Sequence, residues 1–112
     1  MQLKEYLMQT AAQIHALEAK KKQAIAADNK QQYLDCVREK AAILSNLYEN
    51  AQKQDVSAVT NAKNILAALH GFSNSAKQAL AVNSPWFMSE LLYPEDYQEN
   101  EPNNLDKLIE NL

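Results

Sequence analysis

Residues 28–54, DNKQQYLDCVREKAAILSNLYENAQKQ, decide the fold. Within them Tyr33, Leu34, Val37, Ala41, Leu44, Leu47, Tyr48 and Ala51 recur at spacings of three and four. That is the period of a helix with one buried face. Asp28 and Asn29 stand just ahead, with Gln31 and Gln32 three positions after each, the pattern of an N-terminal capping box. The spacing predicts a tight turn and then a helix from Lys30 to Gln54.

Upstream, Leu3, Leu7, Ile14, Leu17 and Ile25 share one face, with Ala11 and Ala24 between them, which predicts a helix from Leu3 to Ala27. Lys20-Lys21-Lys22 interrupts its pattern and reads as a solvated stretch whose stems cover apolar surface. A short connection between two long amphipathic helices makes them antiparallel. Downstream, Asp55 or Ser57 is placed to cap a third helix running to Val82. Its face is Val59, Ala62, Leu66, Leu69, Ala76 and Leu80, broadened by Ile65 and Phe72. Gly71 inside this run costs about 1 kcal/mol relative to Ala and suggests a close helix contact or a bend.

Ser84 and Pro85 can open a fourth, short helical segment, followed by Trp86, Phe87, Met88, Leu91, Leu92 and Tyr93 before Pro94. Residues 94–104 are acidic and interrupted by Pro102, as a linker would be. Leu105, Leu108, Ile109 and Leu112 then form an i, i+3, i+4, i+7 set, a helix too short to be stable without docking on something. The expected architecture is all-α: an antiparallel three-helix bundle with a short fourth segment over residues 1–93, an acidic linker over 94–104, and a C-terminal amphipathic helix over 105–112.

Composition agrees with this. The chain has 112 residues, 46% of them hydrophobic, with one Gly and three Pro, enough for one core and too few breakers for many short strands. A lone cysteine, Cys36, forms no intrachain disulfide and packs as a small hydrophobe. The first residues lack a basic start and apolar run, and no stretch approaches the ~20 apolar residues that cross a bilayer, so a cytoplasmic protein without membrane contact is expected. Residues 84–112 set seven acidic side chains against one basic, Lys107. With a single Arg, Arg38, and no broad basic face, nucleic acid is excluded as a partner.

Chemistry is hard to find. His15 and His70 have no His, Cys or carboxylate at metal-ligand spacing, and Asp35, Glu39 and Glu49 form no Glu-x-x-His unit of a di-iron bundle. One Gly cannot build a phosphate-cradling loop. No catalytic residue, metal or cofactor is expected, and the function that remains is binding another protein. The residues for it are Trp86, Phe87, Met88, Leu91, Leu92 and Tyr93, because Trp and Tyr dominate interface energetics, together with Leu105, Leu108, Ile109 and Leu112 as a helix for a groove, in cis or in trans. Trp86 and Phe87 have a second reading, as caps on the open end of the bundle.

The run Ala24–Tyr48, AIAADNKQQYLDCVREKAAILSNLY, resembles the first helical hairpin of the flagellar export chaperones of the FliT and FlgN type. The turn is Asp28-Asn29, the charged group Arg38-Glu39-Lys40, and the apolar stretch Ile43-Leu44 with Leu47-Tyr48; Tyr33 stands near the aromatic that follows the family's turn. The resemblance implies a chaperone whose C-terminal helix is autoinhibitory, which suits Leu105 to Leu112. An adaptor or chaperone that shields an amphipathic client segment is expected to expose an apolar groove between the second and third helices. Trp86-Phe87 has no counterpart in that pattern. The other expectations are an inhibitor or immunity-type protein acting through Glu95, Asp96, Glu99 and Glu101, whose association would depend strongly on salt, and an enzyme without a recognisable motif. A second copy of the chain is a further candidate partner, since a spare apolar stripe can be buried against itself.

Overall fold

The Asp28-Asn29 turn is built from two linked end motifs. Asp28 takes the left-handed conformation at φ 54°, and the Asn29 amide reaches back to the Ala24 carbonyl at 2.8 Å, closing the preceding helix in Schellman fashion. The Asn29 side chain then accepts from the Gln32 amide at 3.1 Å, capping the next helix. The same device recurs at Asn83-Ser84, with φ 51° at Asn83 and the Ser84 hydroxyl accepting from the Phe87 amide at 3.1 Å.

The computed structural model describes every residue except Glu99. Among the described residues the chain is all-α: α1 (Leu3–Ala26), α2 (Lys30–Ser45), α3 (Leu47–Gln52), α4 (Ala62–Ala81), α5 (Pro85–Glu90) and α6 (Asn104–Glu110). The three long helices pack together, with α2 flanked by α1 and α4.

Two helix boundaries differ from expectation, each for a local reason. The helix foreseen from Lys30 to Gln54 breaks at Asn46. Ser73 of α4, only 1% exposed, inserts its hydroxyl into the backbone ladder, donating to the Leu44 carbonyl at 2.8 Å and accepting from the Tyr48 amide at 2.9 Å. Those two groups would otherwise bond to each other one turn apart, and a side chain wedged between them breaks a helix. The third long helix starts at Ala62, not Ser57, because Asp55 is engaged elsewhere. Its carboxylate accepts from the Ser57 amide and the Gln2 side chain, each at 2.9 Å, and its backbone pairs with Met1 and Leu3. Asp55 therefore ties the chain start to the α3–α4 connection.

The core runs through Leu3, Leu7, Ala11 and Ile14 of α1, Val37, Ala41 and Leu44 of α2, Leu47 and Ala51 of α3, and Ile65, Leu69, Ala76 and Ala79 of α4. Met88, Leu91, Leu92 and Leu105 belong to the same cluster. The three expected stripes do pack together, with α2 contacting both α1 and α4, and residues of the last thirty add to the same core. Ile25, assigned to the inward face of the first helix, is instead 61% exposed. Gly71 is no helix end, since α4 continues through it, but it marks no close contact either, for an added Cβ would meet nothing within 4 Å.

Candidate functional site

Two sites meet at α5, one buried and polar, the other apolar and open. The buried one is organised by Lys40. Its position, three residues after Val37 and four before Leu44, lies inside the buried arc of α2, so its stem runs through the core and its side chain is 1% exposed. The ammonium donates to the Ser89 carbonyl at 2.9 Å, pairs with Glu18 at 3.2 Å, and sits 4.6 Å from the centre of the Tyr93 ring. Lys21 joins from α1, pairing with Glu18 at 2.8 Å and donating to the Ser89 hydroxyl at 3.1 Å.

Burial disfavours the charged form of Lys40 and brings its pKa down to about 8, although Glu18 pulls the other way. For Glu18 burial raises the carboxyl, but Lys40 and Lys21 outweigh it and hold it below the usual carboxylate value, with help from a Tyr93 hydrogen bond. Burial and then the Glu18 charge push the Tyr93 phenol up. No buried side-chain nitrogen or oxygen among the described residues lacks a partner. Lys40 donates to the Ser89 carbonyl and Lys21 to its hydroxyl, so this arrangement fastens α1, α2 and α5 together.

This network corrects one expectation. Of the three consecutive lysines read as solvated, Lys20 and Lys22 are exposed but Lys21 is held in the network. From the sequence Lys40 belongs only to the charged group Arg38-Glu39-Lys40, not to the core, and Glu18 carries no expectation. Their signal was positional, a lysine among Val37, Ala41 and Leu44 and a glutamate directly after Leu17.

Beyond Glu18 and Lys21 opens a cleft of ≈ 840 Å³ between α1, the end of α5 and α6. Across it His15 pairs with Asp106 at 2.9 Å. Asp106 also completes the α6 capping box with Asn103, so the first turn of α6 is fixed to its own cap and to α1. His70 lies elsewhere, its ring 4.6 Å from that of Tyr48.

The second site is a groove of ≈ 480 Å³ along α4, whose other wall is α5. Gly71, Phe72 and Ser75 form one side and Trp86 and Phe87 the other. Trp86 is 72% exposed, and the only glycine of the chain leaves the helix surface bare beside it. The groove is not the one foreseen between the second and third helices, although Leu44 contributes to its lining.

The other residues expected to bind a partner have varied placements. Met88, Leu91, Leu92 and Leu105 are buried in the core, while Phe87, Tyr93, Leu108, Ile109 and Leu112 are half-buried. They are part of the folded monomer, and α6 docks in cis on α1, reaching the groove only through Asn104. Of the acidic residues 95–101, Glu95, Asp96 and Glu101 are exposed; Glu99 lies outside the described residues. The turn Glu90–Tyr93 places Leu92 at φ 74°, a conformation that costs a non-glycine residue about 1–2 kcal/mol. It is held by the buried Leu92 side chain and by the Asn104 amide on the Leu92 carbonyl at 2.9 Å.

Among the described residues no group of three or more His, Cys, Asp or Glu is placed to hold a metal ion, and no helix is long and apolar enough to cross a membrane. Cys36 is 6% exposed, and burial pushes its thiol up, away from the thiolate form that reacts. Comparison with family models, with curated proteins and with solved structures finds no match to this chain.

Proposed function

We propose that this protein is a non-enzymatic, protein-binding helical bundle, an adaptor or chaperone, that receives an amphipathic segment of another protein in the α4–α5 groove. The observation that carries this reading is Trp86, 72% exposed at the edge of an apolar groove. A tryptophan is the most effective single anchor an interface can use, and leaving it in water forgoes the burial that Met88 and Leu91 obtain nearby. Phe72, Phe87 and the bare helix at Gly71 supply the surface that a docked helix would cover. The hairpin's resemblance to flagellar export chaperones suggests export as the setting for this activity.

The test is capture from the native host by the wild-type chain and by Trp86→Ala in parallel. The reading predicts a protein that the wild type retains and the variant loses. Because Trp86 is the only tryptophan, addition of that protein, or of a segment of it lacking tryptophan, should also shift the chain's emission to the blue. Equal capture by both chains, or unmoved emission, overturns the reading.

A further inference from the structure

The apolar groove and the larger cleft have common walls: Glu90 and Tyr93 line both. A segment lying in the groove can therefore continue past Glu90 into the cleft. There the charge is one-sided. Glu18 and Asp106 are already paired with lysine and histidine, and Glu90 acts in part on the buried Lys40 ammonium, but Glu95, Glu101 and Glu110 form no salt bridge among the described residues. Of the two lysines on the cleft wall, Lys21 is committed to Glu18.

We infer that the segment received is a basic amphipathic helix, with its apolar face on Trp86 and Phe72 and its lysine or arginine side chains extending past Glu90 toward the unpaired carboxylates. This rests on the reading of the groove given above and adds the chemical identity of its occupant. An apolar face alone would be accepted from many helices. The cleft charge selects among them, since like charge across an interface is strongly unfavourable and opposite charge speeds encounter. The same carboxylates repel nucleic acid and anionic lipid, leaving a cationic polypeptide as the occupant.

The experiment uses the full chain, four synthetic helical peptides without tryptophan, and the emission of Trp86. One peptide joins an apolar face to a lysine- and arginine-rich end. The second carries glutamate at that end, the third neutral polar residues, and the fourth keeps the basic end but has its apolar face replaced by polar residues. The first should bind with a blue shift and weaken at least about tenfold between ~0.1 M and ~1 M salt, as screening shortens the reach of charge. Its advantage over the neutral peptide should fall severalfold in the Glu95→Gln/Glu101→Gln chain. If the acidic or neutral peptide binds as well as the basic one, the inference fails and the groove reading survives. If the fourth peptide binds as well as the first and Trp86 emission does not move, the groove reading fails. Binding by none of the four counts against both.

Discussion

The two sides of α5 invert the usual arrangement of a globular protein. On its inner side a buried lysine, a glutamate and a half-buried tyrosine gather beside Ser89, and no buried side-chain nitrogen or oxygen among the described residues lacks a partner. On its outer side a tryptophan is left in solvent. A buried ion pair is weak evidence of stability, because desolvation consumes much of the Coulomb attraction. Its geometry nevertheless admits one arrangement of α1, α2 and α5. The exposed tryptophan is the opposite case: at 72% exposure it buries little in the isolated chain, and on the proposed reading it contributes once covered. On the proposed reading, the difference divides a structural role from a binding role across six residues of helix, and mutations should separate them.

The largest effect is expected at Lys40. Lys40→Ala removes one partner and leaves Glu18 half-paired in the interior, which should cost about 3–5 kcal/mol of unfolding free energy. Lys40→Met combined with Glu18→Gln removes that pair together while keeping the volume and leaves Lys21 its bond to the Ser89 hydroxyl, and should recover part of that loss in urea denaturation. If the double variant is as unstable as Lys40→Ala, the cost lies in packing and not in an unpaired charge.

The pH dependence sharpens the same point. Folded Lys40 releases its proton near pH 8, whereas the unfolded side chain does so at the ordinary 10.5. Below pH 8 the buried charge costs stability in full; between the two values the unfolded chain binds more protons, so stability rises with pH. Tyr93 acts in the opposite sense, because its raised phenol contributes stability that is present below its ordinary value of 10.0 and lost as pH climbs through its folded value. The rise should therefore be visible from about pH 8 to 10 in the wild type and absent in Lys40→Met. Equal profiles would show that Lys40 titrates normally.

Ser73→Ala comes next. It strands the Leu44 carbonyl and the Tyr48 amide unless α2 and α3 rejoin, and an unsatisfied group of this kind costs about 1–3 kcal/mol. Hydrogen exchange at the Tyr48 amide distinguishes the outcomes. Faster exchange with lost stability means the gap stays open, whereas slow exchange with little loss means the serine merely interrupts a helix that would form without it.

Ser73 also shows where the sequence stops being legible. The three long helices, the Asp28-Asn29 turn and the helix start at Ser84 follow from local spacing, so they could be read directly. The break at Asn46 could not, for its cause sits on another helix, 27 residues away in sequence. Lys40 and Glu18 were hidden for a similar reason: a charged residue on an apolar stripe looks like a stripe edge until a partner from a third element is known. Trp86 was recognisable as a candidate anchor by its type, but its neighbours Met88, Leu91 and Leu92 were indistinguishable from it by composition. Which of them the core takes depends on the strained turn at Leu92, and hydrophobic pattern carries no information about that.

Gly71→Ala tests the open side. With nothing within 4 Å of an added Cβ and ordinary helical backbone, alanine should raise stability by about 1 kcal/mol. In the groove the same methyl group occupies space that a docked helix would use. A variant that is more stable yet binds the basic peptide less well would show that a bare helix surface is retained for contact. Higher stability with unchanged binding would take Gly71 out of the interface.

Trp86→Ala should be the quietest change in the isolated chain, and that silence is the informative result. A side chain 72% exposed falls among surface substitutions worth within about 0.5 kcal/mol. The urea midpoint should then barely move while retention of a partner is abolished. A loss of 2 kcal/mol or more, of the order that removing a core side chain brings, would mean that Trp86 closes the end of the bundle. The inversion across α5 would then be only apparent, with both of its sides serving the monomer.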